Sequence, residues 1–193
     1  MDETESSNLV FIIYEILNEL LDPNISNVEL EHVMEKFNLD CRVIRYEELP
    51  KYYNEILEGT CFIIFFGFPG QIGHWCAIWK DKDGYLHFFD PYGNPPDKQW
   101  PDLINPNNES PPPFFLSKFL HGKLWRYNPF NIQGYLVDRA TKPVTKELAE
   151  SSCGSLVILR LVLKNWSDKQ FFSLIKQMPT KEIFFITKRW ILS

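Results

Sequence analysis

The chain has 193 residues, 45% of them hydrophobic and 23% charged. That composition suits one globular domain and excludes a mainly disordered chain. The net charge of −5 makes the whole chain no polycation for nucleic acid. The charge is uneven, with 14 acidic and 4 basic residues in 1–60 against 11 acidic and 16 basic in 61–193.

Four cysteines (Cys41, Cys61, Cys76, Cys153) with no CxxC pair are too sparse for a disulfide scaffold or a zinc knuckle. A reducing compartment is expected. Apolar stretches such as 9–14 and 156–159 are too short to span a bilayer. The acidic opening is unlike a signal peptide. The expectation is a soluble, intracellular protein with no membrane partner.

In chain order, the apolar positions of 9–21 follow helical spacing, and Asp22-Pro23-Asn24 ends that helix. Ser26-Asn27 can cap a second helix over 28–37. A short strand near 41–46 and a helical piece over 50–57 complete an acidic, helical lead-in of about 60 residues. Residues 61–66 form a continuous β-branched and aromatic run, the pattern of a buried strand. A Gly- and Pro-containing loop leads to a second strand over 74–80. Asp81-Lys82-Asp83-Gly84 is a hairpin turn into a third strand over 85–90. Seven prolines in 94–113 mark a long surface loop. A helix over 114–120 and a strand over 124–130 follow, then a polar, irregular stretch over 134–152. Residues 154–164 suit a buried helix and 167–177 an amphipathic one, while 181–192 gives mixed signals. The order is α+β: a central, mostly antiparallel sheet packed by helices, in a single domain over 1–193.

Three local features stand out for chemistry. Gly73-His74-Trp75 enters a strand, Phe89-Asp90-Pro91-Tyr92-Gly93 ends its hairpin partner, and Ser151-Ser152-Cys153-Gly154 opens an apolar helix. A hairpin that pairs position 81 with position 83 at its turn also pairs position 74 with position 90 across the ladder. A carboxylate beside an imidazole fixes its tautomer and raises its basicity. The unpaired N–H groups and dipole at a helix N-terminus favour a thiolate at Cys153. Cysteine, histidine and aspartate then act as nucleophile, base and orienter. Upstream, Asn131-Ile132-Gln133-Gly134 offers a side-chain amide for an oxyanion hole, together with backbone N–H groups around Cys153.

These four pieces, in this order over about residues 60–165, resemble the adenovirus-type protease (adenain) and the related SUMO-protease superfamily. The resemblance implies that fold, with His74 as general base, Asp90 as its orienting partner, Gln133 in the oxyanion hole and Cys153 as nucleophile. It implies that Trp75 packs beside the site and, with Gly154, contacts substrate. Gln133 precedes Cys153 by twenty residues, more than in the family. An insertion near 135–147 accounts for this; alternatively, backbone amides alone form the hole.

The expected activity is a cysteine endopeptidase that cleaves proteins near Gly-containing sites. A compact core without an extended regulatory region looks like a viral maturation protease, as in adenoviruses, large DNA viruses and virophages. Such an enzyme acts on capsid precursors in the virion and host-cell cytoplasm. The alternatives are a deconjugase of SUMO- or ubiquitin-like proteins, a Cys-His acyltransferase on the same core, and a non-catalytic binding module. The resemblance also admits a peptide or DNA activator, for which Lys176, Lys181, Lys188 and Arg189 are candidates, although such charges usually form a solvated face.

Ordinary roles compete at each position. His87 is the nearest rival of His74 but lies on the opposite strand face from Asp90. His32 and His121 read as surface residues. Cys41 and Cys61 read as buried thiols. Cys76 shares a strand face with His74, but no further ligands are spaced to complete a metal site, so neither metal nor cofactor is expected.

Overall fold

The computed structural model describes residues 38–67, 73–98, 114–141 and 152–177, together with Glu31, Met34, Glu35, Pro143 and Lys146. The helix expected over 9–21 and the segment 181–192 lie outside the described residues. So do most of 28–37 and all of 99–113.

Five strands form one sheet in the order β1-β2-β3-β4-β5. They are β1 (Cys41–Arg45), β2 (Cys61–Phe66), β3 (His74–Lys80), β4 (Leu86–Phe89) and β5 (Trp125–Tyr127). The β2–β3 and β3–β4 pairs are antiparallel, whereas β1–β2 and β4–β5 are parallel. The sheet is therefore mixed, not mostly antiparallel. Crossovers explain the difference. Between β1 and β2 the chain passes through a 3-10 helix (Tyr46–Tyr52) and helix α1 (Tyr53–Glu58). Between β4 and β5 it passes through helix α2 (Phe115–Leu120). Connections of that length return a strand to its neighbour's direction, which a tight hairpin cannot do. The sheet begins at Cys41, so the acidic lead-in contributes an edge strand to it.

Both sheet faces are covered, which is why β2 and β3 read as unbroken apolar runs. Strand side chains alternate between faces. Ile63, Trp75, Ala77, Trp79 and Phe89 pack beneath helices α3 (Ile132–Arg139), α4 (Cys153–Val162) and α5 (Asp168–Gln177). Ile64, Phe66, Cys76, Ile78 and Phe88 pack on the other side against Tyr46, Leu49, Ile56 and Phe119. Burying each such side chain contributes roughly 1.5–3 kcal/mol.

Helix α3 replaces the start of the irregular stretch expected over 134–152, of which most of 142–151 lies outside the described residues. Gly134 reads as a breaker but lies in the first helical turn, where its N–H donates to the capping Asn131 Oδ1 at 2.7 Å. Ile132, Gln133 and Leu136 form the buried stripe. The strand expected over 124–130 is shorter for a related reason. Asn128 Oδ1 accepts the Phe130 N–H, and its Nδ2 donates to the Phe130 carbonyl. The side chain thus takes backbone partners that a strand would need.

The apolar helix α4 carries one cation, Arg160, which is fully buried. It pairs with Asp168 at 3.0 Å and donates to the carbonyls of Leu163 and Trp166. These bonds tie the end of α4 to the start of α5. Among the described residues no helix is long and apolar enough to cross a membrane.

Candidate active site

The β3–β4 hairpin sets the first two residues. Its turn is wider than the sequence suggests. Asp81 Oδ1 accepts the N–H groups of Asp83 and Tyr85, and the Asp81 N–H donates to the Tyr85 carbonyl at 2.9 Å. Ala77 therefore faces Phe89, and Lys80 faces Leu86. The expected pairing of 74 with 90 is corrected by two residues: the same register carried one pair further aligns position 76 with position 90. An even shift preserves the strand face, so the side chains still meet. His74 Nε2 lies 2.9 Å from Asp90 Oδ1, with both residues buried.

Asp90 is held from several sides. Its Oδ1 also accepts the Tyr92 N–H at 2.7 Å, and its carbonyl accepts from the Gly93 N–H and from Asn128 Nδ2. The Tyr92 ring lies against the imidazole, with centroids 5.2 Å apart. Gly93 adopts φ +71°, and a Cβ there would lie 2.6 Å from the Phe130 carbonyl carbon. Only glycine permits this close approach without strain. The Pro91 carbonyl accepts the N–H groups of Ile132 and Gln133 at 2.9 and 3.0 Å. The Asp-Pro-Tyr-Gly and Asn-Ile-Gln-Gly sequences are thus one contact in space.

Gly73 shows a similar constraint. A Cβ there would come within 2.2 Å of the Phe65 ring and 2.6 Å of the Phe66 carbonyl. The absent side chain lets the chain enter β3 immediately beside β2, which fixes where His74 begins.

Cys153 is the first residue of α4 and is buried, with the Leu156 N–H donating to the Ser152 carbonyl one turn on. Its thiol is near enough to His74 to help raise the pKa of the imidazole. Burial pushes the His74 pKa down. Neighbouring Cys76, the hydrogen bond to Asp90 and the Cys153 thiol outweigh that and leave it well above the ordinary imidazole range. Burial and the nearby Asp90 carboxylate push the Cys76 thiol up to about 12. Cys76 is therefore neutral at ordinary pH, and the Asp90 carboxylate is the charge that favours an imidazolium at His74 when the imidazole gains a proton.

The structure brings His74, Asp90 and Cys153 together. Gln133 is fully buried in the first turn of α3 and joins the group through its backbone bond to Pro91. Trp75 points to the opposite sheet face from His74, packs on Phe65 with centroids 4.6 Å apart and belongs to the core beneath α4. Gly154 is buried in the first turn of α4. Sequence reasoning gave no role to Asn128 or Tyr92. Asn128 reads as part of the strand expected over 124–130, and Tyr92 as part of a turn.

No protein-family model and no solved structure matches the chain. The chain is similar to an uncharacterized protein, V9, of the Sputnik virophage. The two are 27% identical over 156 residues, covering 76% of this chain and 81% of that protein. That distant likeness suggests a viral origin.

Proposed function

We propose that the chain is a cysteine peptidase that processes viral structural proteins. The observation that carries this reading is the buried, hydrogen-bonded His74–Asp90 pair beside a thiol at the start of a ten-residue helix. With Nε2 engaged by Asp90, Nδ1 is the nitrogen left for Cys153. The imidazole takes the Cys153 proton, and the sulfur attacks a peptide carbonyl to give a tetrahedral oxyanion. Backbone N–H groups at the start of α4, with the Gln133 amide, stabilise that charge. The imidazolium then protonates the leaving amine as the C–N bond breaks. Water, deprotonated by the same imidazole, hydrolyses the thioester and regenerates the thiol.

The likeness to a virophage protein supports structural proteins of such a virus as the substrate class. The test is co-expression of this chain with the structural proteins of its own virus. Wild type is expected to yield shortened products and Cys153→Ala none. Equal cleavage by both chains would overturn the reading.

A further inference from the structure

Cys76 has no task in that reaction, yet it is fully buried next to the pair that has one. Among the described residues, His74, Cys76 and Asp90 each present a donor atom, and these nitrogen, sulfur and oxygen atoms lie within 4.8 Å of one another. All three residues are buried. We propose that His74, Cys76 and Asp90 also form a binding site for a thiophilic divalent cation, with zinc as the best fit.

The donor set argues for that class of ion. Imidazole, thiolate and carboxylate are the usual zinc ligands, and three protein ligands with a fourth open position make a common coordination shell. Magnesium and calcium prefer oxygen alone. Bonds of about 2.0–2.3 Å to a tetrahedral ion place ligand atoms about 3.3–3.8 Å apart. The His74 Nε2 to Asp90 Oδ1 separation of 2.9 Å is already close to that. The ion would take the place of the proton those two atoms share, with the Cys76 sulfur closing by no more than about 1.5 Å. Asp90 is backed by the Tyr92 N–H and, through its carbonyl, by Asn128, so this ligand is held in place from outside the shell. Uptake releases the shared proton and the Cys76 thiol proton to solvent.

The consequence is a reversible block. An ion between His74 and Asp90 removes the orienting hydrogen bond and occupies the imidazole that serves Cys153. As a regulator the site rests on the peptidase reading; as a cation site it does not.

Cobalt(II) titration of the purified, reduced full chain tests the site. Wild type is expected to take one equivalent with a thiolate-to-cobalt charge-transfer band that zinc abolishes by displacement. Cys153→Ala, which removes the proposed nucleophile, is expected to keep the band. Cys76→Ser is expected to lose it. Where Cys76→Ser fails to fold, Asp90→Asn serves, with affinity at least about tenfold weaker. No band in wild type, a band that survives Cys76→Ser, or a band lost in Cys153→Ala would each overturn the site. A band in a chain that cleaves nothing would leave the cation site standing and remove only the peptidase.

Discussion

The β3–β4 hairpin carries a histidine–aspartate pair near each end. His74 meets Asp90 at 2.9 Å at the open end, and His87 meets Asp81 at 2.8 Å beside the turn. Distance does not separate them; surroundings do. The first pair's side chains are 7% and 5% exposed, with two thiols against the imidazole. The second pair's are 15% and 22% exposed, and His87 stacks on Trp79 with ring centroids 5.1 Å apart and planes nearly parallel. A histidine–carboxylate bond is therefore no sign of chemistry by itself. At 87 it braces a turn; at 74, under the proposed function, it aims a base at a nucleophile.

The sharpest way to break this contrast is to remove each imidazole. His74→Ala is expected to slow Cys153 alkylation and substrate cleavage by roughly 10³–10⁴-fold, the scale of losing a member of a catalytic triad. His87→Ala is expected to leave both rates within about twofold and to lower stability by about 0.5–1 kcal/mol in urea unfolding, as for a partly exposed pair and one ring stack. Equal losses of rate in the two variants would erase the distinction. Among the carboxylates, Asp90→Asn is expected to lower cleavage by about 10²-fold or more, since an amide no longer favours the imidazolium. Asp81→Asn is expected to leave the rate unchanged. Gly93→Ala tests the joint between the Asp90 turn and α3. With φ +71° and a Cβ 2.6 Å from Phe130, a loss of about 1–3 kcal/mol is expected in the same unfolding assay.

The two pairs also fail at opposite ends of the pH scale. The native state raises the His74 pKa, so it holds that proton more tightly than the unfolded chain does. This contribution to stability is complete below about 6.5 and is lost as pH rises through the folded value. Asp81 behaves inversely. Burial pushes its pKa up, but hydrogen bonds from His87, Tyr85 and Asp83 outweigh that and lower it. Its smaller contribution is present above about 3.9 and is lost as pH falls through the folded value. Urea midpoints measured across pH should show His74→Ala flattening the alkaline limb and Asp81→Asn the acid limb.

Much of this arrangement was legible from local pattern. Strands β2 and β3 are continuous apolar runs with turn residues on either side, and their bounds match the sequence reading. The motif containing Asp90 was visible because proline and glycine follow it. What escaped depends on partners distant in sequence. The hairpin register turned on the Asp81 side chain filling its own turn. The two parallel pairings depend on crossovers that strand patterns do not reveal. The anchor of α2 is a buried knot in which Tyr46 donates to Asp97, while the Phe115 and Ser117 N–H groups donate to Tyr46 and Asp97. Tyr46 and Asp97 are 51 residues apart, and nothing in either neighbourhood announces the other. Arg160 lies within the stretch expected as a buried helix, and the carbonyls and carboxylate that satisfy it begin three residues later.

The most direct measurement is the alkylation rate of each of the four cysteines under native conditions, followed by peptide mass spectrometry in wild type and in His74→Ala. Cys153 should label first in wild type and fall by roughly 10³-fold or more when His74 is removed, with Cys41, Cys61 and Cys76 unchanged in rank. Labelling of Cys41 ahead of Cys153 in wild type, or a Cys153 rate indifferent to His74, would contradict the assignment of the buried pair as the thiol's activator.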